Sequence, residues 1–357
     1  MIKIELDDTT KNEIENLHWE WFDSRANTKF TKSSETYKEF ILRELDVKWK
    51  DIESIIKGNI QVLESYKNSF NKITKKQNET RYSKMMVAFG YDNFCESKKE
   101  WNAYELCKKL KVNVCPYCNR EYTFTIGNTK EKKLRPEIDH FFPKSEYPYL
   151  SCSLYNMIPS CHICNHRKRE FGEGILYPYS DGFDKDIIFR AKFAKEIPEN
   201  SSIFDISNTH IFFKDRPCDV LKTGKCIHNK QSKASKSVKT FHLEEIYNEH
   251  KIELQDLFTR YRNYSKPKID EITKLIINGR INLDDLGLNE KQKNDLYQKI
   301  ASTYTKRIKQ TILGVPLGAG DKQYPLRKFK EDIIEQLDNT ARKMKAEAKT
   351  QDKNKSK

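Results

Sequence analysis

Apolar residues recur at spacings of three and four through TYKEFILRELDVKWKDIESIIKGNIQVLESYKNSF, residues 36–70. That rhythm lines one face of successive helices and predicts a mostly helical region over residues 1–110. From about residue 112 to 190 the rhythm breaks. Cysteines, prolines and aromatics accumulate there, with short β-prone runs such as EYTFTIG and PEIDHFF. Helical spacing returns from about residue 236, in FHLEEIYNEHKIELQDLFTRYRNY and again in INLDDLGLNEKQKNDLYQKIASTYTKRIKQTIL. A Gly- and Pro-rich break, GVPLGAGDKQYP, precedes a last helix near 326–345. The pattern therefore predicts an N-terminal helical region (1–110), an irregular central unit (111–190), a mostly helical region (191–345) and a low-complexity basic tail, AEAKTQDKNKSK (346–357). No fixed-period repeat is present.

Two C-x-x-C pairs punctuate the irregular unit: CPYC supplies Cys115 and Cys118, and CHIC supplies Cys161 and Cys164. Two such pairs a few tens of residues apart present four thiolates tetrahedrally to zinc, and a closed four-sulfur shell makes that zinc structural. Cys95, Cys107, Cys152, Cys218 and Cys226 show no such pairing; Cys218, Cys226 and His228 at most suggest a weak second site. Between the pairs the chain reads as a strand over Glu137–Phe142, a long loop, a short strand over Asn156–Pro159 and a helix starting near Cys161. The expected fold is thus mainly α with a small α+β insert, a zinc-stapled ββα unit between helical regions.

Composition narrows the field. Of 357 residues, 37% are hydrophobic and 33% charged, with a formal charge of +14, which favours a polyanionic partner, most simply nucleic acid. No stretch approaches the ~18 continuous apolar residues of a membrane helix, and MIKIELDDTT lacks the apolar core of a signal peptide. A cytoplasmic protein is expected, and in a reducing compartment its nine cysteines read as metal ligands or isolated thiols.

The rim of the ββα unit carries Asp139, His140, Asn156, Asn165, His166 and Lys168. A carboxylate and an amide oxygen are hard ligands suited to Mg²⁺ or Mn²⁺, and an unligated imidazole beside them is a general base for neutral pH. Cations nearby would hold the flanking phosphates of a phosphodiester. The stretch IDHFFPKS…YNMIPSCHICNHRK resembles the His-Asn-His (HNH), or ββα-metal, endonuclease family, in the subgroup clasped by a four-cysteine zinc site. The likeness is strong over 115–175. More loosely, FHLEEIYNEH is similar to helical parts of HNH proteins found beside ATPases in prokaryotic anti-phage systems of the Septu and retron-associated type.

The resemblance implies a metal-dependent HNH endonuclease acting on nucleic acid, double-stranded DNA before RNA, as an antiviral effector with an ATPase partner. His140 would be the general base, Asn156 would fix the loop that orients it, and Asp139 and Asn165 would ligate the catalytic Mg²⁺ or Mn²⁺. Asn165 stands where the family often carries histidine and many members carry asparagine; His166, one step on, is the alternative. Arg167 and Lys168, with Arg135 and Lys144 flanking the Asp-His pair, would contact phosphate. A nucleobase deaminase would need H-x-E before its cysteines, and His140 is followed by Phe141 and Phe142. The rival of another kind is a non-catalytic zinc module that only binds nucleic acid or protein. The chain contains no G-x-x-x-x-G-K-[ST], so any ATP dependence must come from elsewhere.

Overall fold

The structure, a computed structural model, describes residues 1–127, 131–168, 174–183, 187–192, 209–215, 228–263, 266–280, 286–312, 314 and 324–340. The basic tail, Cys218 and Cys226 lie outside the described residues. Among the described residues the architecture is mainly α, with three two-stranded antiparallel sheets, and no helix is long and apolar enough to cross a membrane. The chain divides into two compact units, one of residues 1–184 and 220–241, the other of 185–219 and 242–357. The N-terminal helices and the ββα segment therefore belong to one unit.

That unit opens with α1 (Asp8–Ala26), α2 (Tyr37–Leu45), α3 (Trp49–Lys57), α4 (Ile60–Ser69), α5 (Glu79–Phe89), α6 (Tyr91–Glu96) and α7 (Ala103–Leu110). Their starts reflect side-chain chemistry. Asp7 accepts the Thr10 N–H, Thr36 and Glu39 form a reciprocal capping box, and Asn102 accepts from the Tyr104 and Glu105 N–H groups. The three-and-four rhythm becomes the core: Ile52, Ile55 and Ile56 of α3 are fully buried, as are Ile14, Phe22, Phe40, Ile41, Leu63 and Phe89. Each such side chain contributes about 1.5–3 kcal/mol of transfer free energy.

His18 and Arg25, both on α1, knit the helices together. His18 is fully buried; its Nδ1 accepts from Trp101 Nε1 (3.1 Å), so Nε2 carries the proton and donates to the Cys152 carbonyl (2.8 Å) in the ββα segment. Gly90 ends α5 and starts α6 in one residue at φ +72°. A side chain there would strike the Arg25 guanidinium, which itself donates to the Ala88 carbonyl (2.5 Å) at the end of α5. This tight joint fixes Tyr91, the first residue of α6.

After α7 come β1 (Ile126–Gly127), β2 (Lys132–Leu134), β3 (Glu137–His140), β4 (Met157–Ser160) and α8 (His162–Lys168). β3 and β4 pair antiparallel in the register Glu137↔Ser160 to His140↔Met157, and α8 packs on β3. The expected strand over 137–142 stops two residues early because the Phe142 N–H turns to the Asn156 side chain. The second strand starts one residue later than expected and runs to Ser160.

The other unit contains β5 (Ile187–Lys192) paired with β6 (His210–Asp215). The described helices of the second half are α9 (His228–Thr240), which belongs to the first unit, then α10 (Leu243–Asn248), α11 (Lys251–Asn263), α12 (Lys266–Arg280), α13 (Glu290–Ile312) and a helix over 327–340. Phe189 of β5 packs on Tyr247 and Phe329, and Asp332 accepts its N–H (2.9 Å) while pairing with Lys328. The β5–β6 hairpin departs from the helical expectation for this region.

Candidate metal centre and histidine site

The four sulfur atoms of Cys115, Cys118, Cys161 and Cys164 lie within 4.8 Å of one another. A tetrahedral ion with metal–sulfur bonds of ~2.3 Å would set its sulfurs about 3.8 Å apart. Cys118 and Cys161, from different pairs, are 4.0 Å apart, far beyond the ~2.05 Å of a disulfide. The cluster fits, and it could hold a metal ion such as zinc. Local backbone prepares it: the Asn119 N–H donates to the Cys115 carbonyl (2.8 Å), closing the first pair's turn, with Asn119 at φ +53°. Three of the thiols are buried and Cys161 is half-buried. Hydrogen bonds from the Cys115, Cys161 and Cys164 thiols hold Cys118 well below the usual thiol range.

His140, the last residue of β3, sits on the opposite strand face from Glu137 and Asp139. Its Nε2 donates to the Ser151 carbonyl (2.8 Å), which leaves Nδ1 as the lone-pair nitrogen. The Tyr91 ring packs edge-on at 4.4 Å between centroids. Burial, then the Lys144 ammonium, pushes the imidazole down to about 3, so it is neutral at pH 7. Asn156 organises the loop that holds the ring. Its Oδ1 accepts from the Phe142 N–H (2.7 Å), and its Nδ2 donates to the Phe142 (3.1 Å) and Leu150 (2.9 Å) carbonyls. Leu150 adjoins Ser151, so the amide fixes the carbonyl that fixes the histidine.

Asp139 turns the other way. Its Oδ2 accepts from the Tyr117 hydroxyl (2.6 Å) and pairs with Lys168 Nζ (3.0 Å). Lys168, expected to reach a phosphate, is instead among the most buried side chains, 2% exposed, and its ammonium also donates to the carbonyls of His140 (2.6 Å) and Phe141 (2.9 Å). It is a clamp between α8 and the end of β3. Asn165 faces Glu137, donating from Nδ2 to Oε2 (2.6 Å), while Glu137 Oε1 meets His162 Nδ1 (2.7 Å). Asp139 and Asn165 thus each meet their own protein partners. A hard cation on Asp139 would have to displace the Lys168 ammonium, so as placed these two residues do not form an open cation site.

The remaining expected residues divide by exposure. Arg167 and His166 are exposed on α8, and the His166 ring stacks on His162. Lys144 lies over the Tyr91 ring at 4.3 Å and near Asp92 (3.8 Å), beside the histidine. Arg135 is half-buried against Tyr104 and donates to the Pro136 carbonyl (2.9 Å). Sequence reasoning missed Tyr91, Glu137 and Lys67, whose ammonium lies over the Phe142 ring at 5.1 Å. Tyr91 and Lys67 come from helices whose rhythm reads as core; Glu137 carried a signal, since it stands two residues before Asp139 on the same strand face.

No protein-family model matches the chain, and no solved structure matches it. It is similar to protein ea31 of Escherichia phage lambda, 36% identical over 82 residues, which covers 21% of this chain and 23% of that protein. The chain therefore matches under a quarter of that relative's length.

Two outcomes are expected of this geometry. Removing the buried clamp by Lys168→Met leaves the Asp139 charge without its ammonium and should cost about 3–5 kcal/mol in denaturant unfolding. Arg167→Ala, one residue away and exposed, should stay within ~0.5 kcal/mol; equal effects would contradict the assignment. His18 and His140 are both held neutral by burial, with His18 pushed down to about 4 and His140 to about 3. The unfolded chain binds protons below about pH 6.5, so stability is full above that pH and lost below it. Each histidine should remove roughly 1.4 kcal/mol per pH unit until its folded-state value is reached. Tryptophan-monitored denaturant midpoints should fall between pH 7 and 5; flat midpoints would contradict the burial of the neutral rings.

Proposed function

We propose that this chain is an HNH-type endonuclease that hydrolyses phosphodiester bonds of nucleic acid, double-stranded DNA before RNA. The observation that carries the reading is the state of His140: a neutral imidazole, its Nε2 proton engaged by Ser151 and its Nδ1 lone pair left over, at the end of β3 beside Lys144. Such a nitrogen can take a proton from water. The water oxygen then bonds to phosphorus, the ester P–O bond breaks with its electron pair on the leaving oxygen, and that oxygen takes a proton from solvent. Resting His140 is a weak base; a phosphate seated on Lys144 adds the negative charge that raises its proton affinity. Lys144, with Arg135 on the approach, supplies the positive field for the phosphate and its developing charge.

In this reading the four thiolates hold structural zinc, whose binding energy is folding energy. The resemblance implies Mg²⁺ or Mn²⁺ for catalysis, which would neutralise charge on the scissile phosphate. Asp139 does not fit that ion while Lys168 pairs with it. A cytoplasmic anti-phage role under an ATPase partner is the proposed setting. Its warrant is the resemblance, together with helical regions of no evident chemistry around a nuclease site that would need restraint.

The test is nicking of supercoiled plasmid with Mg²⁺ or Mn²⁺ present, alone and with the product of the neighbouring gene. About one zinc per chain should survive mild chelation. The native protein should cut, and His140→Ala should bind DNA, keep its zinc and lose cutting by at least a hundredfold. If native protein and His140→Ala bind alike and neither cuts with any cation or partner, the chain is a binding module.

A further inference from the structure

Between the first cysteine pair and β3, four large apolar side chains stand in solvent. Tyr122, Phe124, Ile126 and Leu134 are 52%, 43%, 51% and 53% exposed, in a unit that buries most of its aromatic rings. Their exposure is a consequence of alternation. Thr123 points inward, 3% exposed, with its hydroxyl donating to the Val112 carbonyl (2.8 Å) and its N–H to that of Asn113 (2.9 Å). Its neighbours are thereby turned outward. Tyr122 and Phe124 stack at 4.6 Å with 19° between planes, and Leu134 lies opposite Ile126 across the hairpin. The result is a continuous apolar strip headed by two nearly parallel rings.

The strip is held firmly. Tyr122 bridges to Val114, and the Cys115 N–H donates to the Glu121 carbonyl (2.9 Å), so the hairpin springs from the four-thiol cluster itself. Gly127, at φ +102°, allows the register shift in the hairpin; a side chain there would strike the Glu131 carbonyl. At its far end the hairpin runs through Arg135 directly into β3, so Leu134 is six residues from His140 and no more than ~20 Å away along the strand. The sequence of this stretch is basic, with five Lys and Arg over residues 120–135 against Glu121 and Glu131; Arg120 pairs with Glu121 (2.8 Å) and Lys133 with Glu131 (3.3 Å).

We propose that this hairpin is a stacking platform for unpaired bases of the nucleic acid, flanking the cut site. The inference rests on the nuclease reading for what lies at His140 and adds the substrate form: a strand with bases exposed beside the scissile bond. Parallel aromatic rings beside lysine and arginine are the combination that holds single-stranded nucleic acid, because every base offers a flat face and every phosphate a charge. Continuity with Arg135 and Lys144 lets one strand run from the platform to the histidine.

The experiment uses the full chain carrying His140→Ala, to prevent cutting, and fluorescence anisotropy with two DNA probes, one a closed duplex and one with a single-stranded arm. Tyr122→Leu/Phe124→Leu keeps apolar bulk and removes the ring planes; Tyr122→Phe/Phe124→Tyr keeps both rings. The Leu pair should weaken binding of the armed probe about tenfold or more and leave the closed duplex within about twofold, while the ring-retaining pair binds like its parent. Unchanged affinity for the armed probe in the Leu pair overturns the proposal, as does a parent protein with no preference for the armed probe. A Leu pair that keeps full DNA affinity yet loses a co-purifying protein also overturns it, and makes the face a protein-docking surface. Failure here leaves plasmid cutting by the native chain intact, whereas ring-dependent binding without cutting by the native chain sinks the nuclease reading alone.

Discussion

Four thiols drawn from two places 43 residues apart meet within one small sphere. Everything around the histidine depends on that convergence. A sheet of two four-residue strands and a helix of seven residues bury too little to stand alone. Closing the intervening loop is entropically costly, and a metal ion held by the sulfurs would offset that cost with binding energy that exists only in the folded chain. One end of the cluster launches the hairpin toward β3; the other starts α8. The thiols thereby set the angle at which helix meets strand.

Within that frame, buried polar groups perform the fine positioning. Asn156 satisfies three backbone groups of the loop between β3 and β4, and Lys168 joins Asp139 to two carbonyls at the end of β3. Both residues sit where nearly complete satisfaction is required, since an unpaired buried donor or charge costs more than the bond contributes. The consequence is a division of β3 by face. One face carries His140 toward Ser151, Tyr91 and Lys144, and the other carries Glu137 and Asp139 toward α8. Adjacent Asp139 and His140 are thus structural and chemical partners of different neighbours.

Much of this was legible in the sequence. The helical rhythm of 36–70, the two cysteine pairs and the strand–loop–strand–helix order over 137–168 all left local signatures, because period and spacing are properties of the chain itself. What escaped was long-range. Lys168 reads as a surface cation because nothing in CNHRK reveals that its ammonium reaches the carbonyls of His140 and Phe141. Tyr91 reads as helix core, yet the left-handed turn at Gly90 sets its ring against His140. The β5–β6 hairpin was missed because short apolar runs such as DIIFRAKF suit helix and strand alike until a partner strand is known. The candidate histidine was found from its motif; its tautomer and its low proton affinity required the Ser151 carbonyl and the burial around it.

The claim at the centre is that the His140 imidazole removes a proton from the attacking water. Shortening that side chain leaves a ring-sized space beside Ser151 and Tyr91, so chemical rescue addresses the claim directly. With His140→Gly protein and plasmid, added imidazole should restore cutting in proportion to its neutral form, while pyrrole, a ring of similar size without a basic nitrogen, should not. Native-level cutting by His140→Gly without any added base would contradict it.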